Sequence, residues 1–316
     1  MTDLKLGILL WSQGSPWPEF LAAAKRVDEL GYDHLWTWDH VYAIFGDPYQ
    51  PIFEGYTALA AMAMATERIR LGLLVGANTL RDPALVAKMI ATIDHISGGR
   101  TIAGLGGAWF EHEHTADGYD FGTGFGQRLD WLAEAVAAVR GLLDGETVTS
   151  APGGRYAFDG AVHHPLPVQR HLPIMIGGSG EKKTLRIVAR YADMWNAMGP
   201  LDLMRRKVDV LRSHCEAVGR DPAEIEFTIG LKATIRDSAA EAERVWRDHM
   251  ERNRTGLSEV ADDDTFWRGT PEALAERLAP YVELGFTTAI SEMPAPYDDE
   301  SLARLIGQVK PLVDRG

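Results

Sequence analysis

Asp39 and His40 stand side by side just after Trp36 and Trp38, and of all the pairs in the chain this one is best suited to acid/base chemistry. An imidazole titrates near neutral pH, and a neighbouring carboxylate can hold its tautomer. The tryptophans suit a site that stacks a flat ring, although aromatic core packing predicts them equally well. A second group, Gly177-Gly178-Ser179-Gly180, follows Ile174-Met175-Ile176 and leads into Glu181-Lys182-Lys183 at the start of a helix. Its bare amides could converge on a phosphate at the positive helix end, with Lys182 and Lys183 adding local charge. A tight strand-to-helix connection is the plainer alternative.

Other clusters are less telling. Gly104-Leu105-Gly106-Gly107-Ala108 does not meet the G-x-G-x-x-G spacing and falls mid-chain, so a dinucleotide turn is excluded. Gly106 and its neighbours would instead let a ring system approach the backbone at the mouth of the fold. Glu111-His112-Glu113-His114 lacks the spacing that puts two imidazoles on one helix face, and no metal site is expected. His163-His164 before Pro165 reads as an exposed loop pair. No nucleophile elbow and no P-loop are present, which leaves hydrolase and triphosphatase readings without a motif.

These residues need elements to position them. Short apolar runs that read as buried parallel strands recur near 4–10, 33–38, 70–76, 101–106, 173–177, 193–197, 224–231 and 286–290. Between them lie helical patterns, such as Phe20, Ala23, Ala24, Val27 and Leu30, closed by Gly31. Thr270-Pro271-Glu272 reads as a helix start and Gly285 as its end. Eight alternating units predict a (β/α)8 TIM barrel, with an open doubly wound sheet as the weaker alternative. Barrel sites lie where strands end, which singles out Trp11, Ser12 and Gln13, then Trp38, Asp39 and His40, the segment from Gly106 to His114, the 177–180 turn, and Trp195-Asn196. Three stretches interrupt the alternation. They are a loop over 107–126 after strand four, a small β-hairpin over 145–172 before strand five, and an irregular segment over 255–269 after strand seven, whose Asp262-Asp263-Asp264 reads as a solvated loop.

Bulk composition agrees. A length of 316 residues, 46% hydrophobic, suits one barrel domain over 1–316. Thirty-two basic against forty-five acidic residues give a net charge of −13, which works against nucleic acid as a partner. Cys215 is alone, in a helical pattern with Leu211 and Val218, and reads as a buried filler. No apolar run approaches the ~18 residues of a membrane span, so no membrane association is expected, and the lone cysteine points to a reducing, cytoplasmic location.

Taken together, the residues resemble the luciferase-like monooxygenase superfamily, in its branch dependent on the deazaflavin coenzyme F420. The resemblance covers nearly the whole chain. It rests on Leu30-Gly31-Tyr32-Asp33-His34-Leu35-Trp36 leading to Asp39-His40, on Arg68-Ile69-Arg70-Leu71-Gly72 leading to Arg81-Asp82-Pro83-Ala84, and on Ser97-Gly98-Gly99-Arg100. Gly104-Leu105-Gly106, Trp109 with Glu113, Pro173-Ile174-Met175-Ile176-Gly177-Gly178 and Ala192-Asp193-Met194-Trp195-Asn196 complete it.

The resemblance implies that Asp39 hydrogen-bonds the coenzyme and that His40 assists proton or hydride transfer. Leu74 and Val75 fall where relatives have a strand bulge behind the ring, often with a non-prolyl cis peptide. Gly177, Gly178 and Gly180, with Ser179, would receive the coenzyme phosphate, and His112 sits where some relatives use Asn against its tail. Trp109 aligns with a catalytic Glu of the family's sugar-phosphate dehydrogenases, which argues against that substrate. The expected activity is hydride transfer between the deazaflavin and a small hydrophobic or conjugated substrate in a pocket made by Trp11, Trp38, His40, Trp109 and the 107–126 loop. The rivals are an FMN-dependent monooxygenase using oxygen on the same fold, and a barrel that binds coenzyme without turnover. A homodimer is the usual state in the resembled family.

Overall fold

The computed structural model describes residues 3–260 and 263–315. Among the described residues there are ten parallel-paired strands: β1 (Lys5–Leu10), β2 (His34–Thr37), β3 (Arg70–Leu73), β4 (Gly76–Ala77), β5 (Thr101–Gly106), β6 (Ile174–Gly177), β7 (Met194–Ala197), β8 (Glu226–Ile235), β9 (Phe266–Gly269) and β10 (Phe286–Met293). Neighbours run β10-β1-β2-β3-β5-β6-β7-β8, and β10 also pairs with β8, which closes an eight-stranded (β/α)8 barrel. The short β4 extends β3 along β5 after an interruption at Leu74 and Val75.

The strands are near-continuous apolar runs because both faces are covered, by helices outside and by packed side chains within. The alternation of strand side chains divides the two roles. Leu9, Trp36, Ile102, Met175, Met194 and Ile290 form one buried cluster across the barrel interior. Their intervening neighbours, such as Leu10, Leu35, Ala103, Ile174 and Ile176, pack outward against the helices. Helix ends follow the predicted signals: Gly31 and Gly285 are left-handed C-caps at φ 87° and 112°, and the Thr270 side chain accepts from the Ala273 N–H. Cys215 is buried in the helix Leu201–Val218.

The interruptions are where expectation and structure part. The 107–126 loop contains a short helix, Glu111–Asp117, and the first two residues of a long one, Phe125–Leu143. The predicted hairpin over 145–172 reduces to a single antiparallel bridge between Val148 and Ala161, because turns at Gly153-Gly154 and Gly160 break the ladder. Within 255–269 lies β9, which pairs with the upper half of β8 and explains why β8 runs past the predicted end at 231 to Ile235. Of the acidic triplet, Asp262 lies outside the described residues. Asp264 is exposed, but Asp263 is tied to Lys232 and Thr265 rather than simply solvated. His164 is exposed as expected, and His163 is half-buried.

Candidate active site

A cavity of about 390 Å³ opens at the C-terminal ends of the strands. Its wall is mostly apolar, with a few polar groups converging from different strands, as small-molecule sites require. Seven of the eight barrel strands contribute to it, among them β2 with His40 just beyond its end, β5 with Gly106, β7 with Asn196 and β10 with Glu292.

Asp39 is held from several sides. Its Oδ2 accepts from the Ala77 N–H at 2.9 Å and from Arg81 at 2.8 Å. Arg81 in turn reaches Glu54, which caps the helix Gly55–Ala65, and its guanidinium lies 4.9 Å from the Tyr56 ring centre. Burial pushes the Asp39 carboxyl upward against the pull of Arg81 and of the Ala77 amide. Arg81 itself, although desolvated, is driven up by Asp39 and Glu54. The other oxygen, Asp39 Oδ1, is buried and has no partner among the described residues. A buried acceptor without a donor is costly, and this one packs beside Gly55, where an added Cβ would stand 3.0 Å from it, off the open surface of the cavity.

His40 is oriented by Glu113 and not by Asp39, which corrects the expectation that the adjacent carboxylate sets its tautomer. The ring Nδ1 faces the two carboxylate oxygens of Glu113 at 3.1 and 3.2 Å, and the Val41 N–H donates to the same group at 3.0 Å. Glu113 is fully buried on the helix Glu111–Asp117. With Nδ1–H directed at Glu113, Nε2 carries the lone pair, and no described residue bonds it. His114 anchors the same helix by facing Thr79 and the Phe110 carbonyl.

The glycines serve Val75 first. The Leu74–Val75 peptide is cis, as the resemblance implied. A Cβ on Gly106 would stand 2.4 Å from a Val75 methyl, and one on Gly177 would stand 3.0 Å from it, so both positions must be bare for Val75 to sit in the wall. Gly178, at φ 107°, donates its N–H to the Asn196 carbonyl, which leaves Ser179 and Gly180 as the amides of the turn available to an anion. Lys183 is not offered there, since it bonds Asp130 and the Gly126 carbonyl, whereas Lys182 is exposed.

Of the residues picked from sequence, Trp38, Asp39, His40, Leu74, Val75, Gly106, Trp109, Gly177 and Gly178 line the cavity. Ser179 and Gly180 lie beyond its edge. Trp11 is fully buried behind the wall, stacked at 4.5 Å on Phe45, which takes its expected place. His112 is set among the edges of Tyr42, Tyr49 and Phe110, outside the cavity lining. Missed were the supports Arg81 and Glu54, and the wall residues Phe45, Lys232 and Glu292. The last two stand at the ends of the final two apolar runs, so the rule applied to earlier strands would have found them. No group of three or more His, Cys, Asp or Glu among the described residues is arranged to hold a metal, and none of the described helices is long and apolar enough to cross a membrane.

Comparison with known proteins follows the same outline. The family profile for luciferase-like monooxygenase matches residues 6–288. The 5,10-methylenetetrahydromethanopterin reductase of Methanolobus tindarius is 27% identical, over 90% of this chain and 93% of its own. An F420-dependent glucose-6-phosphate dehydrogenase of Microbacterium testaceum is 26% identical, over 92% and 91%. Among solved structures, an F420-dependent secondary alcohol dehydrogenase in complex with an F420-acetone adduct superposes with a TM-score of 0.83 at 18% identity, over 98% of this chain and 99% of that one. At that identity the likeness speaks for the fold alone.

Proposed function

The chain belongs to the luciferase-like monooxygenase family, and from that premise we propose that it is an F420-dependent oxidoreductase moving a hydride between the deazaflavin and a small hydrophobic or conjugated substrate. The observation that carries this reading is the cavity wall itself, where Asp39 and His40 stand with Val75 and the bare Gly106 and Gly177. A planar group fits that wall, and the name of a relative that uses F420 supports the choice.

When bound, F420 supplies the carbon centre that gives or accepts the hydride. The protein's part is placement and proton handling. Asp39, locked by Arg81 and Ala77, is a fixed carboxyl beside the bound ring. Val75 and the bare glycines form a flat apolar wall. The Ser179 and Gly180 amides are placed to meet an anionic tail. Glu113 keeps the proton on His40 Nδ1, so that Nε2 can take a proton from the substrate or return one. Trp38, Phe45 and Trp109 keep water from the reacting groups.

The reading is tested by incubating the enzyme with reduced F420 without oxygen against quinones, nitroaromatics, enones and imines, following the ring absorbance. Substrate-dependent reoxidation is expected. Turnover seen only with FMN and oxygen would assign the chain to the monooxygenase chemistry instead. Tight F420 binding with no turnover across the panel, and no effect of His40→Ala, would mark a coenzyme-binding barrel.

A further inference from the structure

Glu292 and Lys232 belong to the cavity wall, and nothing in the coenzyme's placement uses them. In a ring of eight strands the fourth and eighth face one another, so Glu292 on β10 looks across the cavity at Gly106 on β5. Its Oε2 accepts from Trp11 Nε1 at 3.1 Å. Lys232, on the adjoining β8, donates to Asp263 at 3.2 Å and to Thr265 at 2.7 Å, and its ammonium lies 4.8 Å from the Phe266 ring centre. These are its polar partners among the described residues, and they leave one N–H over. The surrounding wall is apolar, made by Ile290, Met198 and Phe45. An acid and an ammonium in such a setting are costly to desolvate, and among the described residues no ion pair joins them.

We propose that Glu292 and Lys232 are the substrate's polar anchor, donating hydrogen bonds to a carbonyl oxygen of an uncharged, otherwise apolar molecule held between them and the coenzyme. The inference rests on the F420 reading of the site. Burial pushes the Glu292 carboxyl up, against Lys232 and the Trp11 N–H, while the Asp263 carboxylate adds to the rise. Those are the charged and titratable groups that act on it: Lys232 from β8, Asp263 from the segment before β9, and only an indole N–H from the β1 side. In its protonated form, which burial favours, Glu292 is a donor, and with the remaining Lys232 proton it would match the two lone pairs of a carbonyl. A substrate ammonium would be opposed by Lys232.

The test is a calorimetric titration of the F420-loaded protein with three probes sharing one ring skeleton: cyclohex-2-enone, cyclohex-1-ene-carboxylate and cyclohexylammonium. F420 affinity is measured separately for each variant. The enone is expected to bind best. Glu292→Leu should weaken it about tenfold, and Glu292→Gln, which still donates an N–H, should keep most of the affinity. Enone affinity of the native protein should fall as pH rises through the titration of Glu292, and that of Glu292→Gln should stay flat. F420 affinity should not change in either variant. Preference for either ionic probe, or a Glu292→Leu protein that binds the enone as well as the native one, would overturn the proposal. If the native protein fails to bind F420, the coenzyme reading falls, and the same probes titrated against the protein alone still decide the anchor.

Discussion

The two ends of the barrel carry similar polar residues on the same strands and use them in opposite ways. Along one face of β8, Glu226 stands at the lower end and Lys232 about 20 Å higher. Along β10 the pair is Thr288 and Glu292, and along β2 it is His34 with His40 just past the strand end. Below, the contacts close on themselves. Glu226 accepts from Lys5 at 2.6 Å and from Thr288 at 2.5 Å, and these contacts hold its carboxyl below the usual range despite burial. His34 is packed against Gly7 and Trp36, and burial pushes its pKa down to about 4. Its Nδ1 also lacks a partner, but it lies among packed side chains and not on the cavity wall.

Above, Asp39 and His40 both line a cavity, and His40, bonded only through Nδ1, keeps its other ring nitrogen uncommitted there. A histidine near a carboxylate is therefore uninformative by itself. What separates a functional pair from a structural one is whether its remaining hydrogen-bonding capacity faces space that a ligand can fill.

Several substitutions would sharpen or break this contrast. His40→Ala should lower turnover of F420-coupled reduction by about 10²- to 10⁴-fold while the melting temperature stays near native. Melting that collapsed together with activity would make the upper pair structural too. The lower histidine should instead govern acid stability. Above pH 6.5 His34 is neutral in both states, and as pH falls the unfolded chain takes the proton while the folded one resists until about 4. Stability measured by denaturant unfolding should thus decline between those values, by about 3 kcal/mol in total. His34→Leu should flatten that window, and Glu226, with its lowered pKa, adds its own loss only at lower pH. Gly106→Ala, whose new Cβ would meet Val75, should weaken F420 about tenfold at a stability cost of about 1–3 kcal/mol. Smallest of all, Glu226→Gln should cost about 1 kcal/mol in unfolding free energy and leave F420 affinity unchanged.

Much of this architecture was legible because it is written in local patterns. The eight apolar runs correspond to the eight barrel strands, and Gly31, Thr270 and Gly285 mark helix ends where the sequence put them. β9 was not legible, because Phe266-Trp267-Arg268-Gly269 is short and takes its strand form from pairing with an extended β8. The hairpin over 145–172 was over-read, since its turn residues are real but no alternating ladder flanks them.

In the site, Asp39 and His40 could be found from their place after β2, but their partners could not. Arg81, Glu54 and Glu113 lie 42, 15 and 73 residues from them, and only the closed barrel brings these groups together. Trp11 was assigned to the pocket by its position at a strand end. The rotation of its side chain behind Phe45 is a packing outcome that spacing does not encode.

The central claim, that Asp39 and the bare wall beside it hold a deazaflavin ring, is tested most directly by titrating F420 and FMN into the native protein and into Asp39→Asn, following ring absorbance. Saturable one-to-one binding of F420 is expected, tighter than that of FMN and weakened about tenfold or more by Asp39→Asn. F420 binding that is indifferent to Asp39→Asn, or absent while FMN binds, would contradict it.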